Sequence, residues 1–229
     1  MNEDRLRALE EVLGYTFSNR ELIREALRHG SAAVGGRSSY ERLEFLGDAV
    51  LGHAMALLLF ERFPDADQGL LTRMRAHLTR SETLAQKTAL LGLDGWVQLG
   101  PSEEMSRGRE RTALLEDVLE AILGAVVLDG GFEPALDMVQ RIWGEDLEEI
   151  DERTLRLADP KSALQEAAQS RGLPLPEYRQ LRSTGPEHRL QWVFAVVWDG
   201  DEVARGEGTS KRDAQTQAAR RALVRLGLV

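Results

Sequence analysis

Residues 41–51, ERLEFLGDAVL, constrain the chain most, because three acids interrupt a run of core-forming side chains. Read as a helix, this stretch puts Glu41, Glu44 and Asp48 at i, i+3 and i+7, on one face. Leu43, Phe45, Leu46, Val50 and Leu51 surround them, so the acids stand on a largely apolar helix. A second such helix is read over 112–131, TALLEDVLEAILGAVVLDGG, with Asp117 and Glu120 at i, i+3 and Glu116 beside them. No Lys or Arg follows within four residues to compensate, and like charges this close repel. Acids partly withdrawn from water must be paired or bound to a cation. Two helices that each present a carboxylate pair would make an all-oxygen site, the chemistry suited to Mg²⁺ or Mn²⁺. A di-iron bundle would need Glu-x-x-His pairs, and neither cluster contains His. Ordinary solvated acids on amphipathic helices would show the same spacing, so spacing alone leaves both readings open.

The 229 residues give room for one large domain or two modest ones. With no cysteine, disulfides, thiolate metal sites and a cysteine nucleophile are excluded. The longest apolar run, AVLGHAMALLLF (49–60), is short for a membrane span and carries His53. The opening MNEDRLRALEE reads as a charged helix start, without the pattern of a signal peptide. A soluble, cytoplasmic protein is expected. The net charge of −9 is unevenly spread: residues 1–150 carry 16 Lys+Arg against 27 Asp+Glu, residues 151–229 carry 13 against 11. The acidity thus belongs to the first part. Only Lys87, Lys161 and Lys211 are lysines; every other basic residue is Arg.

Up to residue 147 the apolar residues recur at helical spacing, as in Leu6, Leu9, Val12 and Leu13. Gly35-Gly36, Phe63-Pro64-Asp65, Leu99-Gly100-Pro101 and Gly130-Gly131 punctuate them. Residues 148–158 are charged and weakly apolar, which reads as a linker or a frayed helix end. Asp159-Pro160 then starts a helix, with Asp as N-cap and Pro at the first position. Alternation follows, with Trp192, Phe194, Val196 and Trp198 on one strand face. Asp199-Gly200 makes a hairpin turn, and Gly206 and Gly208 end the next strand. Ser210 and Asp213 form a capping box for a last helix. The expected fold class is α + (α+β): an all-helical domain over 1–147, a linker over 148–158, and an α-β-β-β-α domain over 159–229.

ERLEFLGDAVL resembles the signature of the ribonuclease III catalytic domain. LRHGS (27–31) is similar to that family's Leu-Thr-His-x-Ser, with Arg28 in place of Thr. LLTRMRAHL (70–78) resembles its Leu-Thr-x-x-Arg helix, and GRERTALLEDVLEAILGAVVLDGGF its second acidic helix. The resemblance implies an endoribonuclease of double-stranded RNA that processes rRNA precursors and structured mRNAs. It places Glu44, Asp48, Asp117 and Glu120 at the metal site, with Asp48 and Glu120 as catalytic acids and Mg²⁺ as the cofactor. Glu41 matches an acid acting nearer the RNA strand. The catalytic domain would form a homodimer, each site cutting one strand to leave 5′-phosphate and 3′-hydroxyl ends with short 3′ overhangs. Phe45 matches the aromatic residue that plugs into the partner subunit, although its helix phase equally suits plain core packing. No pair of His29, His53 and His77 shares a helical face at ligand spacing, so they read as packing or surface residues.

DPKSALQEAAQSRG, GPEH and GEGTSKRDAQTQAARRAL resemble the three contact regions of a double-stranded-RNA-binding domain. By that likeness Ser162, Gln165, Glu166 and Gln169 face minor-groove hydroxyls, and Pro186, Glu187 and His188 reach a second minor groove. Lys211 and Arg212, at a helix N-terminus, meet the phosphates between. Thr209 stands where many relatives are basic, so affinity is expected to be modest and salt-sensitive. Leu70, in Gln68-Gly69-Leu70-Leu71, stands at a usually acidic position of the catalytic domain. Either that acid assists without being required, the reading favoured here, or Glu116 or Asp67 replaces it. A non-cleaving RNA-binding regulator is the rival reading, and the presence of all four metal-site acids speaks against it.

Overall fold

Helices form wherever apolar residues recur at three- and four-residue spacing. The computed structural model describes residues 3–36, 38–186 and 190–229, and the chain divides into two units, 1–149 and 150–229. The first unit contains α1 (Glu3–Leu13), α2 (Arg20–Ala26), α3 (Glu41–Arg62), α4 (Gln68–Leu78), α5 (Ser81–Leu90), α6 (Pro101–Met105), α7 (Thr112–Gly130) and α8 (Phe132–Glu149). Breaks fall at the glycines and prolines. Pro101 opens α6, and Gly131, at φ 90°, closes α7, because only glycine enters positive φ without steric cost.

α7 is the centre of this unit, buried almost continuously from Leu114 to Val126, with α2, α3, α5 and α8 packed around it. α3 is long and apolar enough to cross a membrane by length and composition, yet Leu43, Val50, Leu51, Ala54 and Leu59 are buried in the protein core. α3 and α7 meet backbone to backbone. A Cβ added at Gly47 would stand 1.7 Å from the Glu120 carbonyl oxygen, and one at Gly124 2.1 Å from that of Leu43. Thr88 Oγ1 donates to the Leu115 carbonyl at 2.7 Å, which fixes α5 on α7. Trp143 Nε1 donates to the Leu78 carbonyl at 3.0 Å, and Lys87 pairs with Asp146.

Asp129, near the end of α7, holds the loop between α1 and α2. Its carboxylate accepts the Ser18 amide at 2.8 Å, the Asn19 amide at 2.7 Å and the Tyr15 hydroxyl at 2.8 Å. Burial alone would raise its pKa, but these three donors together hold it below the usual aspartate value. Asp129→Ala is therefore expected to destabilise the first unit by about 1–2 kcal/mol, measured by urea unfolding. Because the folded pKa is depressed, this contribution is present at neutral pH and lost as pH falls below about 4. Wild-type and Asp129→Ala stabilities should therefore converge in acid.

The second unit contains α9 (Glu152–Ala158), α10 (Pro160–Ser170), β1 (Glu177–Thr184), β2 (Gln191–Trp198), β3 (Asp201–Gly208) and α11 (Lys211–Arg225). The strands form one antiparallel sheet in the order β1-β2-β3. Asp199 at φ 53° and Gly200 at φ 87° make the hairpin turn expected of an Asp-Gly pair. Val196, Trp198 and Val203 pack on Leu164, Ala218 and Leu223 of the two flanking helices.

Two sequence expectations are modified. Residues 148–158 are largely helical, covering the end of α8 and all of α9. Asp151 caps α9 by accepting the Thr154 amide at 2.6 Å. Arg156 Nη1 and Arg220 Nη2 each donate a 3.0 Å bond, to the Leu228 and Leu157 carbonyls, fixing α9 within its own unit. Gly206 lies inside β3 and does not end it. A Cβ there would stand 2.1 Å from the Ala218 amide nitrogen, so glycine lets α11 lie against the sheet.

Candidate active site and RNA-binding surface

The glycine contacts between α3 and α7 set the position of the acids. Gly47 lies against the backbone of Glu120 itself, and Glu44 and Asp48 flank Gly47 in α3. Glu120 is the most withdrawn acid, 8% exposed. Burial, then the like charges of Asp48, Glu116, Glu44 and Asp117, push its pKa up to about 8. Among the described residues no donor or cation contacts its carboxylate. Glu44 is also raised, by burial first and then by Asp117, Glu41, Glu116 and Asp48. Asp117 is raised by burial, against the opposing effects of a hydrogen bond from Tyr40 and the nearby His29. Asp48 and Glu41 are exposed; Glu41 accepts the Ser39 hydroxyl at 2.9 Å.

The donor set is entirely carboxylate, the chemistry of a hard divalent cation. Among the described residues, no three acidic or imidazole side chains already converge on one point as they would around a bound ion. The residues fit a divalent ion because Glu120 is a buried carboxylate whose charged neighbours are all acids. Asp129, with three donors, shows what a structurally satisfied acid looks like in the same domain.

Tyr40 and His29 reach the cluster without having been assigned to it by the sequence reading, and Glu116, read beside Asp117 and Glu120, joins them. Tyr40, buried at the start of α3, donates its hydroxyl to Asp117 Oδ2 at 2.9 Å. Burial first, and then Asp117, Glu44 and Glu41, raise the Tyr40 pKa, so the phenol remains a donor. His29, read as a packing or surface residue, lies edge-on to the Tyr40 ring at 5.7 Å; its Nδ1 is 2.7 Å from Ser31 Oγ, which accepts the Gly100 amide at 2.9 Å. Glu116 accepts the Ser81 hydroxyl at 2.9 Å and adds its charge to Glu44 and Glu120. Its place was legible in the sequence, because Glu116 lies one helical turn before Glu120. Asp67, the other candidate substitute for the acid missing at Leu70, caps α4 by accepting the Leu70 amide at 2.7 Å. His53 stacks on Phe132 at 4.4 Å, in keeping with a packing role.

Phe45 is 81% exposed and therefore not a core residue of its own chain. In the second unit Ser162, Gln165, Glu166 and Gln169 are all exposed along one face of α10, whose opposite face buries Ala163, Leu164 and Ala168. Lys211 and Arg212 are exposed in the first turn of α11, where Ser210 Oγ accepts the Asp213 amide at 3.0 Å. Pro186 is exposed; Glu187 and His188 lie outside the described residues.

Residues 19–146 match the family described as Ribonuclease-III-like, and residues 160–226 match the Double-stranded RNA binding motif. The chain belongs to the ribonuclease III family. Ribonuclease 3 of Azorhizobium caulinodans is 45% identical over 225 residues, covering 97% of this chain and 94% of its own. That of Methylocella silvestris is 46% identical over 224 residues, 98% and 94% of the two chains. The crystal structure of the ribonuclease III nuclease domain from Campylobacter jejuni is similar at a TM-score of 0.60 and 35% identity. It covers 66% of this chain and 100% of its own. A second structure of that domain concerns flexibility in its dimer-forming region. As a ribonuclease III with a double-stranded-RNA-binding motif, the protein is an endoribonuclease of double-stranded RNA, in a family that works with a divalent metal.

Proposed function

We propose that Glu44, Asp48, Asp117 and Glu120 hold Mg²⁺, with Mn²⁺ able to replace it, and that the protein hydrolyses both strands of an RNA duplex. The observation that carries this reading is Glu120, a buried carboxylate among acids. Mg²⁺, when bound, acidifies a water toward neutral pH and acts as a Lewis acid toward the reacting phosphate. Asp48 and Glu120, one from each helix, orient the reacting groups. Tyr40 keeps Asp117 in register by its hydroxyl bond, a partner of the kind that fixes ligand orientation. Glu41, exposed at the rim, faces the RNA strand.

Products carry 5′-phosphate and 3′-hydroxyl ends with short 3′ overhangs, and the physiological substrates are rRNA precursors and structured mRNAs in the cytoplasm. Two catalytic domains pair as a homodimer with Phe45 inserted in the partner, which accounts for a large aromatic side chain left in water. Residues 1–147 form the catalytic module and 159–229 the RNA-binding module. Ser162, Gln165, Glu166, Gln169, Pro186 and His188 read the minor grooves, and Lys211 and Arg212 contact phosphates.

Incubating the protein with a long RNA duplex, with and without Mg²⁺, tests the reading. Cleavage only with the metal is expected, and metal-independent cutting would overturn it. Replacing Lys211 and Arg212 together by Ala is expected to weaken duplex binding and lower the slope of log affinity against log salt by about 1–2. An unchanged slope in a salt titration would remove both residues from the phosphate contact.

A further inference from the structure

Each of the three lysines in this arginine-based chain has a different setting. Lys87 is committed to its ion pair with Asp146. Lys161 donates to Gln215 Oε1 at 2.9 Å while lying 4.7 Å over the Tyr178 ring. Lys211 is exposed, with its ammonium 4.7 Å above the centre of the Trp192 ring. Among the described residues it has no hydrogen-bond acceptor and no ion pair, so all three N–H donors are available.

The seat for this ammonium is built by the end of the sheet. Trp192, at the start of β2, pairs with Gly208 of β3. A Cβ at Gly208 would stand 2.4 Å from Asp213 Oδ2 and 2.6 Å from the Ala214 amide nitrogen. Glycine at this position therefore lets the first turn of α11 lie directly on the strand. The helix start is then fixed from both directions, since Asp213 Oδ2 accepts the Thr209 amide at 3.2 Å while Ser210 caps Asp213. Lys211, the first residue of the helix, reaches back over the indole. Phe194, Val196 and Trp198 follow on the same strand face and are buried, whereas Trp192 is only half-buried. Its large ring remains at the surface, beneath a cation.

The face of an indole ring attracts an ammonium through its quadrupole. Unlike a carboxylate, it neither neutralises the charge nor occupies an N–H donor. A lysine held in this way keeps its full attraction for an anion. Lysine is also among the side chains with most rotamer freedom to lose on binding, and a seat taken beforehand lowers that cost. We propose that Trp192 is a positioning residue for RNA binding, whose ring holds the Lys211 ammonium where it meets a duplex phosphate. This rests on the reading of Lys211 as a phosphate contact. Lys161 makes a useful contrast, since its bond to Gln215 uses a donor internally and marks it as a structural lysine.

Binding of the full chain to an RNA duplex longer than the ~16 base pairs such a motif spans, measured without divalent ion, tests the proposal through a double-mutant cycle. Trp192→Leu is expected to weaken binding roughly three- to tenfold, and Trp192→Phe, which keeps a weaker ring quadrupole, roughly twofold. In a Lys211→Met background neither change should weaken binding further. The ε-methylene protons of Lys211 should be shielded by the indole in the wild type and lose that shielding in Trp192→Leu. Should Trp192→Leu unfold, the cycle is decided with Trp192→Phe. A full additional loss on top of Lys211→Met, or unshielded ε protons in the wild type, overturns the role of Trp192. Wild-type affinity of Lys211→Met overturns the phosphate contact itself; the shielding, measured separately, shows whether the seat survives that failure.

Discussion

Glu120→Gln is expected to reduce the cleavage rate by at least about a thousandfold while leaving duplex binding nearly intact and making the metal-free protein more stable. Both effects have one cause. The amide keeps the shape of the side chain but cannot ionise, so it loses the charge that attracts a cation and the repulsion from the surrounding acids. Below about pH 4.5 the carboxyl is protonated in native and unfolded chains alike, and the wild type and variant should be closest. Between there and the native value of about 8, the unfolded chain ionises while the native state holds its proton, so wild-type stability falls as pH rises. At neutral pH the advantage of the variant should be on the order of 3 kcal/mol. Added Mg²⁺ should raise the wild-type melting temperature, as any ligand specific to the native state does, and leave Glu120→Gln unchanged. A variant that still cuts, or one less stable than the metal-free wild type, would remove Glu120 from the metal site.

The acids themselves were legible because a helical period converts spacing into shared faces. That rule groups Glu44 with Asp48 and Asp117 with Glu120, while their reading as metal ligands comes from the resemblance to the ribonuclease III signature. Glu116 was read beside Asp117 and Glu120, and its four-residue step to Glu120 is what brings its charge to that carboxylate. Tyr40 was harder to foresee. Its bond to Asp117 crosses 77 residues of chain, and nothing local to SSYER marks the tyrosine as facing the second acidic helix. In the second unit, the N-caps at Asp159 and Ser210 and the Asp199-Gly200 turn were readable, since each is a short-range motif with its own hydrogen bond. The ring beneath Lys211 was not, because cation and indole come from strand and helix ends brought together by Gly208.

The crossing of α3 and α7 was the least legible feature, because a glycine inside a helix reads from sequence only as a cost, about 1 kcal/mol against alanine. Gly47→Ala and Gly124→Ala are expected to reverse the usual sign of that substitution and destabilise the protein by on the order of 3 kcal/mol or more. At each site the added Cβ meets backbone, at 1.7 Å and 2.1 Å, so no side chain can rotate away and the helices must part. Gly144 in α8 supplies the control. A Cβ there meets nothing within 4 Å, so Gly144→Ala should follow propensity and stabilise by about 0.5–1 kcal/mol. Parting α3 from α7 also separates Glu44 and Asp48 from Asp117 and Glu120. Any folded fraction of Gly47→Ala should therefore show a smaller Mg²⁺-induced rise in melting temperature than the wild type. Chemical denaturation and a Mg²⁺ titration on the three variants decide the matter. If Gly47→Ala unfolds with the stability of Gly144→Ala and binds Mg²⁺ normally, close approach at Gly47 is not what assembles the site.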